Sequence, residues 1–456
     1  MKTEVSNRFC LHPSVFYRCY GEHVIVYQTE TQKVYTFNES AGDIIACLEE
    51  YASVSDILDA LKEIYDMDDP KEQDAMEEYV ASFLAELKTR EIIKQEHRQI
   101  EVVENLEKEI GSYFPEGEQL FSATIELTYR CNEKCRHCYV VSEDKEEMTY
   151  EKIRSLLDEL ADMKAFNLVF TGGEVFLRDD AFALLEYAYQ KHFLIDIFTN
   201  GTLLDGNDFI RLKSIWPRCV HFSLYSHIPE KHDAVTQVRG SFERTLNAIK
   251  SCILMGIPVN IKTPVFDETK DDVEGIVALA NSLGCSAELS RNITPKKDGD
   301  LTPLDMKIDA ADDERVVADV IDKLVDRIDN RQDPEPIRQK ICGAGARSIS
   351  INPYGEVFPC GMLSICLGNV NQETIRNIWE NSERLQWWRE NNRMSKLKGC
   401  GECEMINDCV FCPGEAMMRT GNPLVRYDTA CLATEKAIRR RTEKGGDSLE
   451  TEKEEI

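Results

Sequence analysis

The sequence predicts an α/β protein. A partial (β/α)6 barrel of the TIM type follows a small N-terminal β3α3 winged-helix-like domain and precedes a C-terminal cysteine-rich domain. Three observations carry this reading. Short apolar runs alternate with helical stretches from Phe121 to Pro295, and strand–helix alternation implies a parallel sheet. Three β-branched or aromatic runs, then three amphipathic runs, fill the first 95 residues. Of 17 cysteines in 456 residues, eight lie between Cys342 and Cys431.

In the front domain, residues 10–95, the runs Phe16–Tyr20, His23–Gln28 and Lys33–Phe37 read as strands with tight turns. Ala41–Tyr51, Val54–Tyr65 and Lys71–Thr89 repeat apolar residues at helical spacing, as in Ile57, Leu58, Leu61 and Ile64. Ser53 is the expected N-cap of the second helix, and Asp69-Pro70 the expected start of the third. Residues 96–119 read as a linker with a helical stretch around Ile100–Ile110.

In the barrel, residues 120–310, the expected strands are Ala123–Leu127, Asn167–Phe170, Phe193–Phe198, His221–Leu224, Val259–Thr263 and Ala287–Ser290. Tyr150–Met163, Ala181–Gln190, Phe242–Met255 and Val273–Leu283 are among the expected helices. Ligands of such a barrel gather at the C-terminal strand ends. Residues 311–341 form a helical bridge, 342–435 the cysteine-rich domain and 436–456 a charged, solvated tail.

Composition narrows the function. With 82 acidic and 54 basic residues the formal charge is −28, which repels a phosphate backbone and disfavours nucleic-acid binding. No apolar run reaches the ~20 residues of a membrane span, and the start MKTEVSNRF lacks a signal-peptide core. A cytoplasmic protein is expected. In a reducing compartment, clustered thiols point to metal or iron–sulfur ligation rather than disulfides.

Cys131, Cys135 and Cys138 form a C-x3-C-x2-C loop directly after the first barrel strand. Three thiolates can hold three irons of a 4Fe–4S cube and leave the fourth open, whereas structural zinc wants four protein ligands. His137 is the only histidine in the loop. Cys10, Cys19, Cys47, Cys219, Cys252 and Cys285 are read as core thiols.

The loop resembles the signature of the radical S-adenosylmethionine superfamily. The resemblance implies a cluster whose open iron chelates S-adenosylmethionine, with cleavage to a 5′-deoxyadenosyl radical. It also implies cofactor contacts at matching positions. These are Gly172, Gly173 and Glu174 for the methionine amino group, Thr199 and Asn200 in Thr199-Asn200-Gly201 for ribose, and Ser223 and Arg239 for ribose and carboxylate. Tyr139 stands where an aromatic packs near adenine. Thr199-Asn200-Gly201 also reads as a simple Asn-Gly turn, and Tyr139 as ordinary core.

Beyond the barrel come Cys342, Gly355-x4-Cys360, Cys400-x2-Cys403-x5-Cys409-x2-Cys412 and Cys431. CxxC pairs also suit zinc. The order closely resembles the SPASM domain, which holds two auxiliary 4Fe–4S clusters, although two residues rather than the usual three separate Cys409 from Cys412. The resemblance assigns Cys400, Cys403, Cys409 and Cys431 to a distal cluster. Cys342, Cys360 and Cys412 go to a proximal one, which Cys366 or a substrate thiolate would complete. Three 4Fe–4S clusters are therefore expected. Gly361 stands where sulfatase-maturing relatives carry an Asp after the cysteine matching Cys360, which disfavours that activity.

The front domain resembles the PqqD-like RiPP recognition element, which holds leader peptides; its acidic helices argue against the alternative of a DNA-binding winged helix. Together these resemblances imply an enzyme similar to sactipeptide and ranthipeptide maturases. It would bind a precursor peptide by its leader, take electrons from a flavodoxin or ferredoxin, and form Cys thioether crosslinks. A carbon–carbon or carbon–oxygen crosslink is the runner-up, and a non-catalytic iron–sulfur scaffold the rival class.

Overall fold

The computed structural model describes residues 8–49, 52–65, 70–93, 119–290, 293–308, 340–400, 403–406, 409, 411–428, 430–432, 434–435 and 438. The helical stretch expected around Ile100–Ile110, nearly all of the linker and the bridge, and the tail apart from residue 438 lie outside them.

The front domain begins with β1 (Arg8–Phe9), followed by a meander of β2 (Val15–Tyr20), β3 (His23–Gln28) and β4 (Lys33–Asn38). Then come α1 (Glu39–Cys47), β5 (Ala52–Ser53), α2 (Val54–Ile64) and α3 (Pro70–Thr89). Asn38 caps α1 by accepting from the Ala41 amide, so this helix starts two residues earlier than its apolar periodicity suggested. Ser53 caps α2 in a reciprocal capping box with Asp56, as expected. The antiparallel pair β1–β5 was not anticipated, because two-residue strands carry no periodic signal.

The meander is apolar on both faces. Val15, Val24 and Val26 pack on α1–α3. Phe16, Tyr20, Ile25 and Tyr27 pack on Phe121, Phe166 and Leu194 of the barrel. Arg18 locks this joint by donating to the carbonyls of Lys191 (2.7 Å) and Ala165 (3.3 Å), its guanidinium lying 5.2 Å from the centre of the Phe193 ring. Cys19 departs from the core reading. It is exposed, at the margin of the β2 face that meets α1.

The barrel contains β6 (Ser122–Glu126), α4 (Tyr150–Asp162), β7 (Asn167–Thr171), α5 (Ala181–Gln190), β8 (Leu194–Thr199) and α6 (Gly206–Ser214). It continues through β9 (Cys219–Ser223), α7 (Pro229–Thr236), α8 (Ser241–Leu254), β10 (Val259–Pro264), α9 (Val273–Leu283) and β11 (Ser286–Ser290). The six strands pair in parallel and in sequence order.

The C-terminal domain adds β12 (Ser348–Ile351), β13 (Glu356–Phe358), β14 (Gly368–Asn369), α10 (Ile375–Asn381), α11 (Glu383–Asn391) and α12 (Pro413–Thr420). β12 pairs in parallel with β6, so the barrel sheet runs on into this domain as nine strands. One apolar core accordingly spans both, from Phe170 and Phe222 to Val357 and Trp388. Burying such a side chain stabilises by roughly 1.5–3 kcal/mol, so the two domains are joined by packing and not merely tethered.

Candidate active site

The cysteine loop leaves β6 at its C-terminal end, where the strand ends Glu126, Thr171 and Thr199 converge. Backbone bonds fix it from outside: the Lys134 and Arg136 amides donate to the carbonyls of Thr236 and Val235 at the end of α7. Glu147 fixes its root by accepting from Thr128 Oγ1 (2.7 Å) and the Tyr129 amide (3.0 Å).

The glycine pair after β7 packs against this loop. The Gly173 amide donates to Thr128 O (2.7 Å) and the Glu174 amide to Arg130 O (2.9 Å). A Cβ on Gly172, whose φ is +142°, would sit 2.2 Å from Thr128 O; one on Gly173 would sit 2.2 Å from Arg130 O. Glycine is needed here because two backbones touch, a reason the motif alone did not reveal.

Glu174 is fully buried. Its carboxylate accepts from Thr199 Oγ1 (2.7 Å), the Asn200 amide (2.8 Å) and the Phe176 amide (3.1 Å). Burial pushes its carboxyl up, and these three donors oppose the shift. Both of its oxygens are thus engaged within the protein, and the residue welds the end of β7 to the end of β8. Asn200 continues the network. Its Nδ2 donates to Asn132 Oδ1 (2.9 Å) and lies 3.9 Å from Cys131 Sγ, while its Oδ1 accepts from Thr202 Oγ1 (2.7 Å). Thr199-Asn200-Gly201 does form a turn: Gly201 has φ +72°, and a Cβ there would strike Phe222 at 2.5 Å.

Ser223 ends β9, beside Tyr225, whose hydroxyl lies 3.6 Å from Cys135 Sγ. Arg239 is exposed in the turn between α7 and α8. That turn is held by Asp233, which accepts from Ser241 Oγ (2.9 Å) and the Phe242 amide (3.0 Å). Tyr139 is 38% exposed, and its phenol is close enough to feel both the Cys138 and Cys360 thiols. It therefore lies between the barrel loop and the C-terminal domain. The Lys297 ammonium sits 5.5 Å from the centre of its ring and pairs with Glu126 at 3.0 Å. Asn132, Glu147, Tyr225 and Lys297 escaped the sequence reading, as isolated polar or aromatic residues without a motif.

The three thiols of the loop interact, Cys131 and Cys138 both adding to the upward shift that burial imposes on Cys135. Among the described residues no three His, Cys, Asp or Glu side chains close round a single ion; a four-iron cube spreads its thiolates wider than one ion does. Two buried atoms of the loop, Glu133 Oε1 and His137 Nδ1, have no hydrogen-bond partner. The His137 ring packs 4.8 Å from those of Tyr225 and Phe266, and burial holds it neutral with its pKa at about 4. Three thiols in one loop, Cys131 exposed and Cys135 and Cys138 half-buried, with the histidine ring packed elsewhere, fit a cluster with an open corner.

In the C-terminal domain, burial raises the Cys400 thiol, and Cys431, Cys409 and Cys403 act on it together. Cys360 is raised by burial and feels Cys412. Cys412 precedes α12, and a Cβ on Gly414 would lie 2.7 Å from Met362 Cβ, so glycine lets this helix close on the Cys360 loop. Asn392 clasps Cys342 at both backbone groups, donating to its carbonyl (2.8 Å) and accepting from its amide (3.3 Å). Cys366 Sγ donates to Gly368 O at 3.6 Å. Cys403, Cys409 and Cys431 thus lie near Cys400, and Cys412 near Cys360. The core reading holds for Cys219 and Cys252, both buried, whereas Cys10, Cys47 and Cys285 are half-buried.

A parallel barrel with a three-cysteine loop after its first strand and a Gly-Gly-Glu turn with a buried glutamate after its second defines a radical S-adenosylmethionine enzyme, and comparison with known proteins agrees. Residues 125–280 match the Radical SAM superfamily, 342–404 the SPASM iron–sulfur cluster-binding domain and 22–93 PqqD, coenzyme PQQ synthesis protein D. The chain is a radical SAM/SPASM protein with an N-terminal PqqD-like domain.

Among its relatives, the AdoMet-dependent heme synthase of Methanosarcina barkeri is 28% identical over 66% of this chain and 93% of its own. The Bacillus subtilis antilisterial bacteriocin subtilosin biosynthesis protein AlbA is 30% identical over 64% of this chain and 66% of its own. The crystal structure of Streptococcus suis SuiB bound to its precursor peptide SuiA matches 93% of this chain and 100% of that one, with TM-score 0.60 at 14% identity. Among the described residues no helix is long and apolar enough to cross a membrane.

Proposed function

We propose that this enzyme modifies a ribosomally made precursor peptide and forms Cys thioether crosslinks. The observation that carries the reading is a PqqD-like domain packed rigidly on a radical SAM barrel, with an open sheet edge. Among the described residues β4 pairs only with β3. Beside it lies a groove of about 520 Å³ lined by His23, Thr36, Phe37, Asn38 and Tyr65 among others. An extended leader would add to that edge by main-chain hydrogen bonds, its alternate side chains entering the groove.

Cys131, Cys135 and Cys138 would hold the radical cluster, and the chemistry supplied there is hydrogen-atom abstraction by a 5′-deoxyadenosyl radical. Glu174 positions Thr199 and Asn200 at the cofactor's edge, and Gly172-Gly173 seats the loop. Ser223, Arg239 and Tyr139 complete the cofactor contacts. Cys400, Cys403, Cys409 and Cys431 would hold the distal cluster, and Cys342, Cys360 and Cys412 the proximal one, making three clusters in all. The proximal cluster's free corner would take a substrate thiolate, because Cys366 is turned to a backbone carbonyl.

Mass spectrometry of a co-expressed Cys-containing precursor tests this. Each thioether removes two hydrogens and one alkylatable thiol. The same mass loss with every cysteine still alkylated would mean a carbon–carbon or carbon–oxygen crosslink instead. The heme synthase relative supports a second reading, tetrapyrrole modification; binding of a leader peptide to the front domain separates the two.

A further inference from the structure

We infer that the face of the C-terminal domain beside Cys400 docks an acidic one-electron carrier protein. The inference rests on the reading of Cys400, Cys403, Cys409 and Cys431 as a cluster site.

The chain carries a formal charge of −28, yet the segment entering this cysteine set is basic. Arg393, Lys396 and Lys398 alternate with Met394 and Leu397. The two apolar residues are buried and the three cations are exposed. Met394–Lys396 is a single 3-10 turn, which fixes that alternation. Burial thus anchors the segment and points its charges outward.

A second segment, bridged to the first at Lys398, brings a fourth cation. The Lys398 amide donates to Leu424 O (2.7 Å), and Lys398 bridges Val425, next to Arg426. Arg426 is exposed and lies across Gly399, the residue before Cys400, its Cδ 3.1 Å from where a Cβ would be. None of the four cations makes an ion pair with a described carboxylate. Four exposed cations near Cys400 without a partner among the described carboxylates, on a chain of net charge −28, favour one orientation of an acidic partner.

The reaction needs such a partner. One electron passes from the reduced carrier to the cluster, the carrier being oxidised by one electron and the cluster reduced by one, with no bond made or broken. Placing the basic face over Cys400 brings the carrier's redox group to the protein edge of the acceptor.

The test uses the reconstituted full-length enzyme and a purified acidic flavodoxin. Binding is read by fluorescence anisotropy against salt, and electron transfer by stopped-flow oxidation of the reduced flavodoxin. The variant Arg393→Glu/Lys396→Glu/Lys398→Glu should bind about tenfold more weakly or worse, with a flatter salt dependence. Iron content and dithionite-driven 5′-deoxyadenosine formation should stay at the parent level. A neutral Lys396→Gln/Lys398→Gln variant, a milder change to the fold, should lose an intermediate amount, and Arg211→Glu on α6 should lose none.

Unchanged flavodoxin affinity in the charge variants would overturn the inference. So would loss of precursor-peptide binding with flavodoxin binding intact, because the face would then hold substrate. Absence of 5′-deoxyadenosine from the parent with dithionite would instead strike the radical-enzyme reading, while flavodoxin binding still decides the docking face.

Discussion

Glu174 accepts a 2.7 Å hydrogen bond from the Thr199 hydroxyl, with both side chains buried. Two motifs 25 residues apart are thereby joined at one edge of the proposed cofactor site. Glu174→Gln replaces an acceptor-only carboxylate with an amide whose NH2 must face a donor. Losing bonds to a buried charged group costs about 1.5–3 kcal/mol. Calorimetric titration with S-adenosylmethionine should show weaker binding, with iron content unchanged. Parent-level affinity would mean that the network is not coupled to the cofactor.

Gly173→Ala should behave differently. Its Cβ would meet Arg130 O at 2.2 Å, and backbone cannot rotate away as a side chain can. The cysteine loop has to shift, so radical-cluster loading should fall. Overpacking of this kind costs roughly 1–3 kcal/mol or more. Iron and sulfide assays should show the loss of one cluster, about four irons per chain.

The auxiliary sets give a counting experiment. Three clusters predict about twelve irons per chain. Cys400→Ala and Cys360→Ala should each remove about four. Cys366→Ala should remove none, because its thiol faces Gly368 O. Loss of iron in Cys366→Ala would close the proximal cluster with protein and leave no corner for substrate sulfur.

Arg18→Ala should loosen the front domain from the barrel. It deletes the donors to Lys191 O and Ala165 O and the cation over Phe193. Each buried carbonyl left unpaired costs about 1–3 kcal/mol. Hydrogen exchange should rise in β2 and in the segment around Phe166. Leader-dependent turnover should drop, while 5′-deoxyadenosine formation without peptide is retained.

Acid should destabilise the barrel in two stages. His232 is buried and held neutral, its pKa lowered to about 4 by burial. The unfolded chain takes up that proton near pH 6.5, so stability falls as pH drops from 6.5 towards 4, by roughly 3 kcal/mol. Asp196 follows. Burial pushes it up, but Arg218 and His221 outweigh burial and hold it at about 2. Its contribution is present above pH 4 and fades as pH falls through 2. In denaturant titrations, His232→Phe should shrink the first stage without removing it, because His137 is also held neutral with its pKa at about 4, and should leave the second stage unchanged. Asp196→Asn removes the carboxylate that pairs with buried Arg218 and should cost about 3–5 kcal/mol at neutral pH.

The legible parts of the sequence were those with short-range signals. The barrel strands and the long helices showed in their periodicity, and Ser53 showed as a cap. Helix α6 was missed because GNDFIRLKS offers few apolar residues, although its Asp205–Asp208 capping box was there to be read. Helix α7 hid behind weak amphipathicity and was signalled only by Pro229 at its start. Lys297, far along the chain from Glu126, had no local pattern to mark it.

By itself the sequence determined the chemistry: Cys131, Cys135 and Cys138 at fixed spacing after a strand, and the ordered cysteines from Cys342 to Cys431. Ligand spacing is a local property, written in consecutive residues. Tertiary structure decided the rest, because contacts between distant segments depend on how strands register and faces pack. It joined Glu174 to Thr199, ran β12 alongside β6 so that barrel and cysteine-rich domain share a core, and placed Tyr139 between Cys138 and Cys360. It also turned the second apolar face of the front meander onto the barrel, which fixes the open β4 edge relative to the active site.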